Sequence, residues 1–271
     1  MHIVLTRPAD DASDWEIGLR AAGHNVLLLP LITIGLAPDP SELRKCWAQM
    51  SDFNVLMFVS ANAVKQFFAA QPAGEGFEAP GLLKGPWRWP HLRLWATGPG
   101  TTRALLAHGV PLPLIDMPPH DARAFDSEAL WQQVQGQIRV DARVLIVRGV
   151  STSNGELSSQ GTGRDWLADR VRAVGGRVEF CVAYQRSMPI FSENQRVAVQ
   201  QWINSGAIWL FSSSEAIAHL VKGVSGIDWK QARALCTHPR IAITARACGF
   251  GVVQESRPTL SDVMASIESS A

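Results

Sequence analysis

Apolar runs of about four to six residues alternate along the chain with longer stretches in which apolar positions recur every three or four residues. The runs include Val26–Leu29, Val55–Val59, Val144–Val147 and Ile208–Phe211, with three-residue runs at Ile3–Leu5 and Leu94–Ala96 and one interrupted by Glu179 at Val178–Ala183. Buried runs of this length between amphipathic helices read as β-α-β units, which build parallel sheets covered by helices on both faces. One helical stretch is Trp15…Leu19…Ala22-Gly23 and another is Trp166-Leu167…Val171…Val174-Gly175. Each ends at glycine, the usual helix stop. A third is predicted over 192–204, where Ser192 followed by Gln195 forms a capping box and Val197, Trp202 and Ile203 supply the core face.

The pattern occurs twice. Ile3-Val-Leu-Thr-Arg7-Pro8 is echoed 141 positions later by Val144-Leu-Ile-Val-Arg148-Gly149. Val55-Leu-Met-Phe-Val-Ser60-Ala-Asn62 is echoed 153 positions later by Ile208-Trp-Leu-Phe-Ser-Ser213-Ser214-Glu. The extra residues fall in 151–163, a Ser/Gly-rich loop. Leu92–Thr101 is matched with Pro239–Thr244, which reads as a strand lacking the Gly-rich turn of the first copy. A domain-sized repeat of this kind predicts two similar α/β lobes. The residues alone would divide the chain once, near position 140.

The chain has 271 residues, enough for one large domain or two small ones. Hydrophobic residues are 46% and charged residues 18%, which excludes disorder over the whole length. No apolar run approaches the roughly 20 residues of a membrane span. The start, MHIVLTRPADD, lacks the basic and greasy segments of a secretory signal, so a cytoplasmic protein is expected. A net charge of +1 gives no basic excess for nucleic acid or a membrane surface. Within that balance Arg outnumbers Lys by 20 to 5, and Arg grips carboxylates and phosphates in two-pronged fashion. Cys46, Cys181, Cys236 and Cys248 form no CxxC, so reduced thiols are expected.

In open parallel sheets, ligands bind beyond the carboxyl ends of the strands. The polar clusters predicted there are Thr6-Arg7-Pro8, Ser60-Ala61-Asn62, Gly98-Pro99-Gly100-Thr101, Arg148-Gly149, Ser212-Ser213-Ser214 and Thr244. Small residues and hydroxyls ahead of a helix leave backbone N–H groups free for an anion. Taken singly, Ser60, Asn62, Ser213 and Ser214 read as helix caps. Six such ends in two lobes favour a cleft for an anionic ligand. The chain carries no GxGxxG, no phosphate loop, no GxSxG and no HExxH, so no cofactor or metal is expected. Tyr184 is the only tyrosine. It reads either as a phenol anchoring a strand end or as a hydrogen-bond donor able to assist a leaving hydroxyl.

Taken together, VLTRP at the start, FVSANAV at 58–64, WATGPGTTRAL at 95–105, VLIVRG at 144–149, GRDWLADRVRAVGGRVEFCVAYQR at 163–186, WLFSSSEAI at 209–217 and HPRIAITARACGF at 238–250 resemble the bacterial uroporphyrinogen-III synthase family over nearly the whole length. The resemblance implies two α/β lobes, each a parallel sheet flanked by helices, joined by a two-stranded linker. The first lobe would be 1–35 plus 189–271, the second 40–183, and the linkers about 36–39 and 184–188. It implies a lyase that cyclises hydroxymethylbilane to uroporphyrinogen III with loss of water and inversion of ring D. The substrate would be oriented in the cleft between the lobes, without cofactor or metal. Carried onto this chain, Tyr184 is the family tyrosine. Thr101 and Thr244 match threonines lining the cleft, and Arg7, Ser60, Asn62, Gly98, Arg148, Gly149, Ser213 and Ser214 are candidates for carboxylate binding. Ile243-Thr244-Ala245 stands where the family often has Gly-x-x-Thr. A tetrapyrrole is the expected partner and a monomer the expected state, with segments 71–90 and 151–163 as mobile insertions. The competing readings are a non-catalytic two-lobe binding protein for an acidic metabolite and a nucleotide-dependent transferase.

Overall fold

The computed structural model describes residues 1–72, 87–119, 121–122, 124–153, 156–158 and 162–269. The chain divides into two compact units, Met1–Thr33 with Ser187–Ala271, and Ile34–Arg186. Unit 1 begins with β1 (His2–Leu5), α1 (Ala9–Ala21) and β2 (Asn25–Leu28). Then come β3 (Thr33–Leu36), α2 (Pro40–Ala48), β4 (Val55–Phe58), α3 (Ala61–Ala69), β5 (Arg93–Ala96) and α4 (Pro99–Ala107). Unit 2 continues with β6 (Ile115–Asp116), α5 (Ser127–Val134), β7 (Arg143–Ser153), β8 (Glu156–Ser158), α6 (Thr162–Ala173) and β9 (Arg177–Ser187). The chain then completes unit 1 with α7 (Glu193–Asn204), β10 (Ile208–Phe211), α8 (Ser214–Gly223), β11 (Arg233–Cys236), α9 (Pro239–Ala247), β12 (Val252–Glu255) and α10 (Leu260–Glu268).

The unit 1 sheet has the order β12-β11-β10-β1-β2 and is parallel throughout. The unit 2 sheet has the order β3-β9-β7-β4-β5-β6, with β8 antiparallel on β7. From β9 to β6 its pairs are parallel. Strands β3 and β9 are neighbours in that sheet.

Strand register fixes how the two copies correspond. Ile3 pairs with Ile208 as Val144 pairs with Val55. Ile208 in turn pairs with Arg233 as Val55 pairs with Arg93. Arg233 therefore stands for Arg93, and Pro239 for Pro99. This corrects the expectation that 239–244 is a strand. Pro239 is the first residue of α9, as Pro99 is of α4. Proline suits that position because its missing N–H would be unpaired there anyway. The true strand, Arg233-Ala-Leu-Cys236, is short and begins with a charge, so its apolar signal is weak. After α1 and α6 the chain turns at Gly23 and Gly175, both with positive φ (82° and 88°), which is why glycine ends each helix.

Core packing follows strand alternation. On β4, Leu56 and Phe58 enter the cluster under α2, α3 and α4 with Leu43, Trp47, Phe67, Phe68 and Leu105. Val55 and Met57 enter the opposite cluster with Trp95, Leu130, Val134, Leu167 and Val171 from β5, α5 and α6. Trp47 stacks on Phe67 with centroids 4.8 Å apart and donates Nε1–H to the Phe67 carbonyl at 2.9 Å. Unit 1 is packed by Ile3, Leu5, Trp15, Leu19, Leu210, Leu235, Val263 and Ile267.

Helix α7 carries the capping box of Ser192 and Gln195. Its core face is set differently from the sequence expectation. Val199 and Ile203 are buried, Trp202 is partly so, and Val197 is 52% exposed. Val197 lies two residues from Val199, about 200° around the helix, and so faces away. The 151–163 stretch is not wholly a loop, because β7 runs to Ser153 and β8 occupies Glu156–Ser158. Residues 154–155 and 159–161 lie outside the described residues. So does 73–86, most of the other expected insertion. Its final part is core: Trp87 and Trp89 are each 9% exposed, with centroids 5.4 Å apart.

Candidate functional site

In unit 2 the carboxyl end of β4 runs into Ser60, the cap of α3. Its extended backbone lets Oγ accept the Ala63 N–H at 3.1 Å. Tyr184 on β9 places its hydroxyl 3.1 Å from Ser60 Oγ, 124 residues away in sequence. A shift in the β7–β9 register between Arg148 and Gly149 sets Gly149 opposite Tyr184 instead of Ala183, which is the extra residue on β9. Such a bulge re-aims side chains. Cys181, Ala183 and Tyr184 consequently all bury in the cluster under α2, α3 and α4, and Tyr184 is 2% exposed. Its ring lies against Gly149, where a Cβ would come within 2.4 Å of the Tyr184 Cζ.

The adjoining strand end belongs to β5. Thr97 Oγ1 donates to the Val59 carbonyl at 3.2 Å and lies 3.4 Å from Thr101 Oγ1. Gly98 precedes α4 and offers no side-chain cap, and Pro99 opens the helix. A Cβ on Gly98 would lie 3.1 Å from the Phe125 Cβ, so the turn and Phe125 fit closely. Thr101 is buried in the first turn of α4, as Asn62 is in that of α3.

Arg148 is set apart from this group. Its guanidinium lies 4.1 Å over the Phe180 ring and 3.5 Å from Asp165 of α6. Its buried Nε has no hydrogen-bond partner among the described residues. The expectation that Arg148-Gly149 ends a strand is corrected, because β7 runs on to Ser153. Pairing with β4 stops at Val147, but β9 continues on one side and β8 folds back on the other.

Unit 1 places Arg7, Ser213 and Ser214 at its own strand ends. Arg7 lies 4.0 Å over the Trp15 ring. The neighbouring Thr6 Oγ1 donates to the Leu210 carbonyl at 2.7 Å, tying β1 to β10. Ser213 caps α8 by accepting the Glu215 N–H at 3.2 Å, the counterpart of Ser60 in unit 2. The Ser214 Oγ is buried and has no hydrogen-bond partner among the described residues.

The strand-end placement expected for Thr244 is corrected. It lies in the second turn of α9 and donates to the Arg240 carbonyl at 3.1 Å. The residue in register with Thr101 is Ile241, 5% exposed. The strand-end residues there are Thr237, buried at 6%, and His238, whose Nδ1 accepts the Arg240 N–H at 3.1 Å to cap α9. Thr237 and His238, like Thr97, were absent from the sequence-derived set. The signal for them was the following proline.

The titratable groups nearby are structural. A hydrogen bond from the Cys181 thiol lowers the Cys46 pKa, and the same bond with burial pushes Cys181 up. Burial, and to a lesser extent Lys65, lowers the pKa of His108, which stacks on Phe68 at 4.7 Å. Among the described residues no group of three His, Cys, Asp or Glu side chains is placed to hold a metal, and no helix is long and apolar enough to cross a membrane.

Numbered within unit 1 from β1, the strand order is 2-1-3-4-5, the flavodoxin-like arrangement, and unit 2 shows the same spatial layout from β9 to β6 when counted from β7. Two such units with hydroxyl caps at their strand ends define a two-unit, doubly wound α/β protein. The same fold occurs in a mutant uroporphyrinogen III synthase from Thermus thermophilus (TM-score 0.52, 14% identity, 99% of this chain and 98% of that one). It occurs also in uroporphyrinogen-III synthetase from Helicobacter pylori (TM-score 0.52, 15% identity, 92% and 94%). A family model described as uroporphyrinogen-III synthase HemD matches residues 13–265, and the chain belongs to that family of lyases. It is similar to the uroporphyrinogen-III synthase of Escherichia coli, with 29% identity over 186 residues, 69% of this chain and 65% of that protein. To the synthase of Salmonella typhimurium it is 25% identical over 265 residues, 92% of each.

Proposed function

We propose that the chain closes hydroxymethylbilane to uroporphyrinogen III, with loss of water and inversion of ring D. The family match over residues 13–265 carries this reading. In the reaction the hydroxyl on ring A departs and the resulting cation is attacked by the substituted carbon of ring D. A spiro intermediate forms and reopens with that ring inverted. Uncatalysed closure gives the uninverted isomer, so the protein must above all hold the chain of rings curled. Orientation of this kind contributes up to about 7–11 kcal/mol in favourable cases.

Tyr184 assists departure of the hydroxyl as an acid. The eight-carboxylate substrate is held by Arg7, Ser213 and Ser214 of unit 1 and by Ser60, Asn62, Gly98, Thr101, Arg148 and Gly149 of unit 2. A net charge of +1 gives little long-range attraction, so binding rests on local charge-assisted hydrogen bonds, each about 1.5–3 kcal/mol. The Arg7 and Arg148 guanidinium carbons lie 4.0 and 4.1 Å from aromatic ring centroids, which supports their role as fixed cations. Thr244, held on its own helix, has no part in this set. The protein works as a cytoplasmic monomer, and its four free cysteines suit a reducing compartment.

The experiment is to supply hydroxymethylbilane and separate the uroporphyrinogen isomers formed. Isomer III in excess of the spontaneous isomer I is the expected result. Isomer I alone, at the uncatalysed rate, would overturn the reading, and saturable binding without turnover would favour a binding protein.

A further inference from the structure

We propose that Tyr184 reaches the substrate through Ser60, the two hydroxyls forming a relay in which Ser60 touches the departing hydroxyl; this rests on the reading of Tyr184 as the acid. Tyr184 is 2% exposed and its ring is pinned against Gly149, whereas Ser60 is partly exposed. Among the described residues, the one group hydrogen-bonded to the phenol is Ser60, at 3.1 Å. The buried partner thus stands behind the accessible one.

Hydrogen-bond accounting orients the pair. A serine oxygen accepts two bonds and donates one. Ser60 Oγ already accepts the Ala63 N–H. A phenol is a more acidic donor than an aliphatic alcohol, so Tyr184 fills the second acceptor position. The Ser60 proton is then the one donor of the pair left for a ligand. Two bonds into its oxygen polarise that O–H, as in any chain of hydrogen bonds.

In the step, the C–O bond of the ring A hydroxymethyl group breaks and its electron pair leaves with oxygen. The Ser60 proton joins that oxygen, and water departs. The Tyr184 proton moves to Ser60 Oγ. The proton shed by the macrocycle on closing returns to the pair, so the net change is loss of one water with no oxidant or reductant.

The test compares kcat and KM for hydroxymethylbilane in the whole protein and in Ser60→Ala, Ser60→Thr, Tyr184→Phe and the Ser60→Ala/Tyr184→Phe double variant. Loss of Ser60 is expected to lower kcat about 10²-fold with KM within about threefold, and the threonine variant, which keeps hydroxyl and cap, to recover most of it. The double variant should be no more than about threefold slower than Ser60→Ala, because groups acting as a unit are not additive. Since Tyr184 is the only tyrosine, [13Cζ]tyrosine gives one resonance, expected to shift in Ser60→Ala and return in Ser60→Thr. An unmoved resonance would overturn the relay. So would a Ser60→Ala rate within about threefold of the parent beside a slow Tyr184→Phe, which leaves Tyr184 as a direct acid. A Tyr184→Phe enzyme as fast as the parent removes the acid itself, and the relay with it.

Discussion

Gly149 lies beneath the ring of Tyr184, and a Cβ added there would meet Cζ at 2.4 Å and both Cε atoms at 2.5 and 2.8 Å. Three ring atoms this close leave no room for even a methyl group, and a ring set in a core cannot turn aside cheaply. Gly149→Ala is therefore expected to cost about 1–3 kcal/mol by overpacking and to move the phenol off Ser60. Urea unfolding reads the first effect, and the single tyrosine resonance reads the second. A variant as stable as the parent with an unmoved resonance would show that the β7–β9 ladder yields at the register shift.

Tyr184→Phe separates the anchoring role of the phenol from its chemistry. The ring and its packing remain, and only the bond to Ser60 is lost. Removal of one hydrogen bond of this kind costs about 0.5–1.5 kcal/mol of stability. A positioned acid contributes about 10²–10⁴-fold in rate. The expected variant is thus nearly as stable as the parent by thermal unfolding but at least about 10²-fold slower in ring closure. Retention of the parent rate with the modest stability loss would make Tyr184 an anchor only.

These two residues also show where sequence reading stops. The repeat Ile3/Val144 and Val55/Ile208 was legible because both pairs are central strands, buried on both faces and uninterrupted by charge. The capping roles of Ser60 and Ser213 were legible because a helix start is a local event. The contact of Tyr184 with Gly149 was not, because it depends on a register shift after Arg148, with Ala183 the extra residue on β9, that no residue type announces. Nor was β11, whose four residues begin with Arg233, while Ile241-Ala-Ile243 in the next helix imitates a strand. Two alternating apolar positions fit either period when the run is short.

The misread strand yields its own prediction. Thr244 donates to a carbonyl of its own helix four residues back, and the buried position matching Thr101 belongs to Ile241. Such a back-bond adds little to a helix. Thr244→Ala is expected to stay within about 0.5 kcal/mol of the parent in unfolding, with kcat and KM unchanged. A tenfold or greater rise in KM would return Thr244 to the substrate set.

Stability at alkaline pH should carry the mark of Cys236. Burial pushes its thiol from the ordinary 9.0 up to about 12 in the folded protein. Between those values the unfolded chain has lost the proton and the folded one has kept it. Since stability changes with pH as the excess of protons bound by the unfolded state, and that excess is negative here, stability falls as pH rises. The contribution is whole below pH 9.0 and gone above about 12. Cys181 shifts in the same direction, so the comparison must isolate one thiol. Urea unfolding at about pH 8 and about pH 11 should show a smaller loss between the two in Cys236→Ala than in the parent, even though the variant starts less stable through its cavity. Equal losses would mean that Cys236 ionises in the folded state as readily as in the unfolded chain, and that β11 opens to solvent well below the global transition.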